Sequence, residues 1–113
     1  MNFGKHGITN AERYPYNEFL VELSPSKKIR RSLTWKKFNE ETNKVANYLQ
    51  YNLGVQKGDF VLHLQMNSLE WVITFHAILR AGAVAVPLNY RFAANDILHA
   101  AEACKPKAFI LDE

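Results

Sequence analysis

The chain has 113 residues, 48% of them apolar and 22% charged, the range of one globular domain or part of one, which excludes a disordered polymer. Fourteen Lys and Arg against eleven Asp and Glu leave a net charge of +3, too mild to indicate a nucleic-acid partner by itself. The single cysteine, Cys104, permits no internal disulfide and suits a reducing compartment. Met1 to Arg13 carries no signal-peptide core, and the most apolar stretch, Trp71 to Leu88, is interrupted by His76, Arg80, Gly82 and Pro87. A cytoplasmic protein with no transmembrane segment is therefore expected.

In chain order, Ile8 to Tyr14 reads as a short helix, stopped where Pro15 withdraws an amide donor. Phe19 to Leu23 alternates apolar and polar residues as a strand does, Ser24-Pro25-Ser26-Lys27 supplies a turn, and Ile29 to Leu33 returns as the second strand of a hairpin. Thr34 is the expected N-cap of the next helix. Phe38, Thr42, Val45, Ala46, Leu49 and Leu53 follow at steps of three and four and form one apolar stripe. Gly54 is placed as a left-handed C-cap, with Val55 making the accompanying apolar contact.

Lys57-Gly58-Asp59 reads as a turn and Phe60 to Met66 as an apolar strand. Asn67-Ser68-Leu69-Glu70 resembles a capping box with Asn67 as the cap and Ser68 in the first turn. The helix behind it carries Leu69, Trp71, Val72, Ile73, Phe75, Ile78 and Leu79, so it is apolar on nearly every side and needs cover on nearly every side. Gly82 ends it, and Ala83 to Leu88 forms a second strand with Pro87 near its end. Asn95 to Ala103 is another helix, with Ile97, Leu98, Ala101 and Cys104 as its inner face and Asp96 in its first turn. After Lys105-Pro106, Ala108 to Leu111 is a last short strand. Alternation of helix and strand from Thr34 onward predicts an α/β fold: a partial doubly wound parallel sheet with flanking helices, preceded by a short N-terminal hairpin.

The usual signatures of catalysis do not appear. Gly54-Val55-Gln56-Lys57-Gly58 lacks the spacing of a phosphate loop, and no Gly-x-Gly-x-x-Gly follows a strand. His6, His63, His76, His99 and Cys104 are too scattered for a metal signature, and His76 reads as a core histidine. No Gly-x-Ser-x-Gly elbow surrounds Ser68. Lys27, Lys28, Arg30, Arg31, Lys36 and Lys37 cluster, but no aromatic residue lies between Lys27 and Arg31 to stack a base, so a solvated hairpin tip and helix start are expected rather than a nucleic-acid site. The residues thus identify no catalytic group and no metal ligand.

A resemblance goes further. Leu33-Thr34-Trp35-Lys36-Lys37-Phe38 resembles the first core motif of the adenylate-forming enzymes, Leu-Thr-Tyr-x-Glu-Leu, and Leu79-Arg80-Ala81-Gly82-Ala83-Val84-Ala85-Val86-Pro87-Leu88-Asn89 resembles the second, Leu-Lys-Ala-Gly-x-x-x-x-Pro-Leu-Asp/Asn. Leu53-Gly54-Val55 with Lys57-Gly58-Asp59, and Met66-Asn67-Ser68-Leu69-Glu70-Trp71, are similar to the segments the family has between them. Ala11-Glu12-Arg13-Tyr14-Pro15, Asn89-Tyr90-Arg91-Phe92 and Pro106-Lys107-Ala108 also fit, so the ordered resemblance covers almost the whole chain. Met66 stands where the family often has Pro, and Ala93 where a Thr cap is common, a loss worth about 1 kcal/mol of helix stability.

The resemblance implies that residues 1–113 are the N-terminal part of the large adenylation domain of an AMP-forming acyl-CoA synthetase, without its phosphate loop and C-terminal domain. In that family ATP, with Mg2+ neutralising phosphate charge, activates a carboxylic acid, here expected to be a fatty acid, as an acyl-adenylate; coenzyme A then displaces AMP. ATP, Mg2+ and coenzyme A would act through regions other than these residues, and the chain alone is expected to be inactive. Thr34, Gly82 and Pro87 are the structural motif residues: a helix cap, a helix end and a strand exit. Asn67 and Asn89 follow strand ends, where ligands bind in doubly wound sheets, and are the candidates for a substrate cleft. The alternative is a non-catalytic binding or assembly module that retains the fold, its open faces covered by self-association.

Overall fold

The computed structural model describes residues 3–24, 28–65, 68–88 and 94–111. The elements run α1 (Phe3–Arg13), β1 (Glu18–Ser24), β2 (Ile29–Thr34), α2 (Trp35–Asn47), a π turn (Tyr48–Asn52), β3 (Phe60–Leu64), α3 (Leu69–Arg80), β4 (Val84–Pro87), α4 (Ala94–Cys104) and β5 (Ala108–Leu111). Two sheets result. β1 and β2 pair antiparallel as a separate hairpin, with Leu20 opposite Leu33 and Glu22 opposite Arg31. β3, β4 and β5 form a parallel sheet in the order β4-β3-β5, with Val61 beside both Ala85 and Ala108. The chain is therefore a mixed α/β fold with a parallel three-stranded sheet and flanking helices.

Side chains alternate across the strands and so define two faces. Val61 of β3, Ala85 of β4 and Ala108 and Ile110 of β5 join Ala46, Leu49, Ala77, Ile78 and Ala81 in one core under α2 and α3. Phe38, Leu49, Leu62, Ile78 and Val61 are almost wholly buried. The connection from β3 through α3 to β4 steps one way, and that from β4 through α4 to β5 returns across β3. Right-handed crossovers accordingly place α4 on the face opposite α3. Leu62, which points to that second face, is fully buried too, so both sides of the central strand are covered.

Glycines sit where the backbone needs a positive φ. Gly54 (φ 69°) closes α2 and its π turn, and Val55 N–H donates to Leu49 O at 2.9 Å while its side chain enters the core. Gly82 (φ 77°) turns the chain from α3 into β4 against Lys57, whose Cγ would lie 3.4 Å from a Cβ placed there.

Several elements depart from the pattern in the sequence. α1 begins at Phe3 rather than Ile8. The apolar stripe of α2 does not continue to Leu53, which is 38% exposed. The helix widens at Tyr48–Asn52, where Leu53 N–H reaches Tyr48 O at 3.2 Å, and the extra residue in that turn rotates Leu53 off the stripe. β3 stops at Leu64. Ser68, not Asn67, caps α3: its backbone is extended and its Oγ accepts from Trp71 N–H at 3.2 Å, so Glu70 sits nearer the helix start than a capping box would put it. In α4 no residue is fully buried, and Leu98, expected inward, is 58% exposed. Asn67, Asn89 and Ala93 lie outside the described residues.

Candidate functional site

In a doubly wound sheet the ligand crevice opens beyond the carboxyl ends of the strands, at the point where the strand order reverses. Here successive strands depart to opposite sides of β3, and the reversal falls between β3 and β5. The carboxyl ends there are Leu64 and Leu111, with Gln65 leading away from β3 toward α3.

Three features are built around that end. The first is a run of rings. His63 is fully buried at the end of β3; its Nε2 meets Gln65 Oε1, and its ring stacks on Trp71 at 5.1 Å. Trp71 stacks on Phe75 at 5.3 Å, Phe75 meets His76 edge-on at 5.7 Å, and His76 meets Phe38 at 5.2 Å. Phe38 and Trp35 close on Phe19 of the hairpin, the latter at 3.7 Å. The rings thus join the parallel sheet, both long helices and the hairpin in one connected layer, and each such pair adds about 0.5–1.5 kcal/mol beyond the area it buries.

The second feature anchors the loop that leaves β3. Glu22 of β1 accepts from Leu69 N–H at 3.1 Å, filling one free donor at the start of α3. Arg31 of β2 reaches Glu22 at 2.7 Å and Glu70 at 2.7 Å, so one guanidinium clamps the hairpin to the helix. Arg31 holds the Glu70 carboxyl down to about 2 and keeps Glu22 below its usual value; the two carboxylates in turn raise Arg31. The positive end of the α3 dipole favours both anions where they sit. The third feature is a cleft of about 230 Å³ beside this clamp, lined by Leu20, Val21, Glu22, Ser68, Leu69 and Val72.

The residues singled out in the sequence are not gathered into one place. Thr34 Oγ1 accepts from Lys37 N–H at 3.1 Å at the start of α2. Gly82 lies at the opposite end of the sheet from the crevice, where Gly58 N–H donates to Gly82 O at 2.9 Å. Pro87 is the last residue of β4, opposite His63. Asn67 and Asn89, the cleft candidates, lie outside the described residues. His76 is half-buried and its Nδ1 contacts Val72 O at 3.0 Å. Of the basic cluster, Arg30 pairs with Glu18 at 2.8 Å, Arg31 with Glu22 and Glu70, and Lys37 with Glu41 at 3.2 Å, so much of its charge is matched within the chain. Arg80 inserts between helices, donating to Asn43 Oδ1 at 2.8 Å and Asn39 O at 3.3 Å, and burial lowers its pKa. Among the described residues no group of three His, Cys, Asp or Glu could hold a metal ion, and no helix is long and apolar enough to cross a membrane.

Sequence reasoning passed over the ring layer and the Arg31 clamp. Trp71 and Phe75 are helical neighbours at a spacing of four, which is a visible signal. The clamp needs the hairpin register, which sets Glu22 opposite Arg31, and then a contact 39 residues away with Glu70 that no local pattern encodes.

A mixed α/β layer, a parallel sheet with an order reversal beside its central strand, and the two motifs around Thr34 and Gly82 match part of the N-terminal domain of adenylate-forming enzymes. Residues 8–113 match the family model described as AMP-binding enzyme, and the chain belongs to that family. It is 45% identical over 69 residues to the 3-hydroxybenzoate--CoA/4-hydroxybenzoate--CoA ligase of Thauera aromatica, covering 61% of this chain and 13% of that protein. It is 39% identical over 75 residues to the long-chain-fatty-acid--CoA ligase FadD13 of Mycobacterium tuberculosis, covering 66% of this chain and 14% of the relative. The inhibitor-bound N-terminal domain of FACL13 from Mycobacterium tuberculosis superposes with a TM-score of 0.85 at 34% identity, over 97% of this chain and 26% of that one. The matched segments thus span about an eighth of the length of these curated relatives.

Proposed function

We propose that residues 1–113 form the N-terminal part of the adenylation domain of an ATP-dependent acid–thiol ligase, which activates a carboxylic acid as its acyl-adenylate and transfers the acyl group to coenzyme A. The observation that carries this is the match of residues 8–113 to the AMP-binding enzyme family, with coenzyme A ligases among the relatives. A fatty acid is the proposed substrate, supported by the long-chain-fatty-acid--CoA ligases among the relatives. The described residues contribute the floor and framework of the crevice: the ring layer that fixes the end of β3, and the clamp that fixes the loop after it. Asn67 and Asn89 remain the proposed cleft residues of this chain. ATP, Mg2+ and coenzyme A would be held elsewhere in the enzyme, since this sequence carries no phosphate-loop motif. The proposed compartment is the cytoplasm.

The test is product analysis on the polypeptide that carries this chain, isolated from its own cells and given ATP, Mg2+, coenzyme A and a panel of fatty and aromatic acids. Acyl-CoA thioesters from fatty acids, with AMP released, are expected. Thioesters from aromatic acids alone would move the substrate class while keeping the ligase. No thioester from any acid would overturn the reading in favour of a non-catalytic module.

A further inference from the structure

In a parallel α/β sheet the turn from strand to helix is a natural place for an anion. The amides that open the helix have no helical acceptor, and the helix dipole is positive there. In this chain that turn lies between β3 and α3, at the carboxyl end of the central strand. It is already filled by the chain's own oxygens. Ser68 Oγ accepts from Trp71 N–H at 3.2 Å, and Ser68 O takes the first helical bond, from Val72 N–H at 3.3 Å. The Glu70 carboxylate accepts from its own backbone N–H. Leu69 N–H, the remaining donor of the turn, goes to Glu22 Oε1 at 3.1 Å, across from β1 and 47 residues away in sequence.

Glu22 stands where an outside anion would bind, and it is held as a bound anion would be. Its two oxygens lie on the side-on fork of Arg31, with Nε at 2.7 Å and Nη2 at 3.0 Å, a geometry that suits phosphate as well as carboxylate. The other side of the same guanidinium is taken by Glu70, at 2.7 Å from Nη1 and 2.8 Å from Nη2. Two carboxylates against one guanidinium leave the turn one net negative charge. The Glu22 side chain is 21% exposed and borders the cleft of about 230 Å³. A phosphate or carboxylate entering there meets like charge, and the amides and guanidinium nitrogens that would bind it are engaged. We propose that Glu22 is a built-in anion that occupies the anion site of the β3–α3 turn and excludes phosphates and carboxylates from it, a specificity residue supplied by the hairpin. A sheet of this type otherwise offers such a turn to a nucleotide phosphate. The inference stands on the geometry of this chain alone and is independent of the ligase reading. For a ligase its consequence is that the charged head of the acid and the phosphates of ATP are turned away from this end of the crevice.

The test titrates inorganic phosphate and pyrophosphate into this chain, without metal and at constant ionic strength, and follows the amide resonances of Ser68, Leu69 and Glu70 by NMR. The unaltered chain is expected to show no saturable shift at those amides. Glu22→Ala frees the Leu69 amide and the Arg31 fork together, and should bind pyrophosphate at least about tenfold more tightly than the unaltered chain, through those same amides. Glu22→Gln keeps the shape and an acceptor while removing the charge, and should gain about threefold or more. Adding Arg31→Met to Glu22→Ala should abolish the gain. Circular dichroism checks each variant, and Glu22→Gln decides if Glu22→Ala fails to fold. If neither folds, the unaltered chain decides: silence at the three amides upholds the exclusion, and a saturable shift there ends it. Saturable shifts in the unaltered chain would overturn the inference in any case. So would a folded Glu22 variant that binds no more tightly than the unaltered chain, or a gain that survives the loss of Arg31, because the anion would then be held elsewhere.

Discussion

At the scale of single residues, helix ends carry the clearest physical statements. Thr34 Oγ1 satisfies Lys37 N–H and Ser68 Oγ satisfies Trp71 N–H, two donors that would otherwise lack a helical partner. Thr34→Ala and Ser68→Ala should each lower stability by about 1 kcal/mol in urea unfolding, with an unchanged m-value. Gly82→Ala places a side chain at φ 77° and 3.4 Å from Lys57 Cγ, and should cost about 1–2 kcal/mol for the left-handed backbone. Thr34 and Gly82 were legible in the sequence because a cap and a left-handed turn are set by a few adjacent residues. The cap of α3 was misplaced by one position, since Asn67 and Ser68 are both good capping residues and only the backbone decides between them.

At the scale of elements, the sequence pattern found the α-helices and strands of the described residues but, β5 (Ala108–Leu111) apart, few of their ends. The stripe on α2 holds through Leu49 and breaks at the π turn, a change of helical pitch that no 3.6-residue pattern contains. The stripe still names the packing: Phe38→Ala empties a 1% exposed site shared with Phe19, Trp35 and His76, and should destabilise by about 3–5 kcal/mol. The hairpin was legible as two strands, but its attachment to α3 was not, because Arg31 and Glu70 are joined only by tertiary contact. That clamp gives a pH dependence of defined sign. Glu70 is held at about 2 against an ordinary 4.5, so the stability it contributes is fully present above about pH 4.5 and is lost as pH falls toward 2. Thermal melting between pH 7 and pH 2 should show a decline in that window. Arg31→Met should flatten the decline, and a slope as steep as that of the unaltered chain would show that the clamp is not its source.

At the scale of the whole molecule, the alternation from Thr34 onward was sufficient to predict a parallel sheet with helices on both faces, because right-handed crossovers leave few alternatives. The strand order β4-β3-β5 and the consequent crevice beside β3 follow only once pairing is known. The candidate site is correspondingly half legible: its framework lies in residues whose patterns are local, whereas its ring layer joins Phe19, Phe38, Trp71 and His63 across most of the chain. The 113-residue chain alone should release no AMP from ATP with any acid, since its sequence carries no phosphate-loop motif.

The most direct measurement is acid-dependent exchange of radiolabelled pyrophosphate into ATP by the intact polypeptide that carries this chain, because exchange reports adenylate formation without requiring the thiol. Exchange that appears only when a carboxylic acid is added, and that coenzyme A converts into net AMP release, is the predicted result. An absence of exchange across fatty and aromatic acids, in a folded polypeptide that contains the phosphate loop, would contradict the assignment of an acid–thiol ligase.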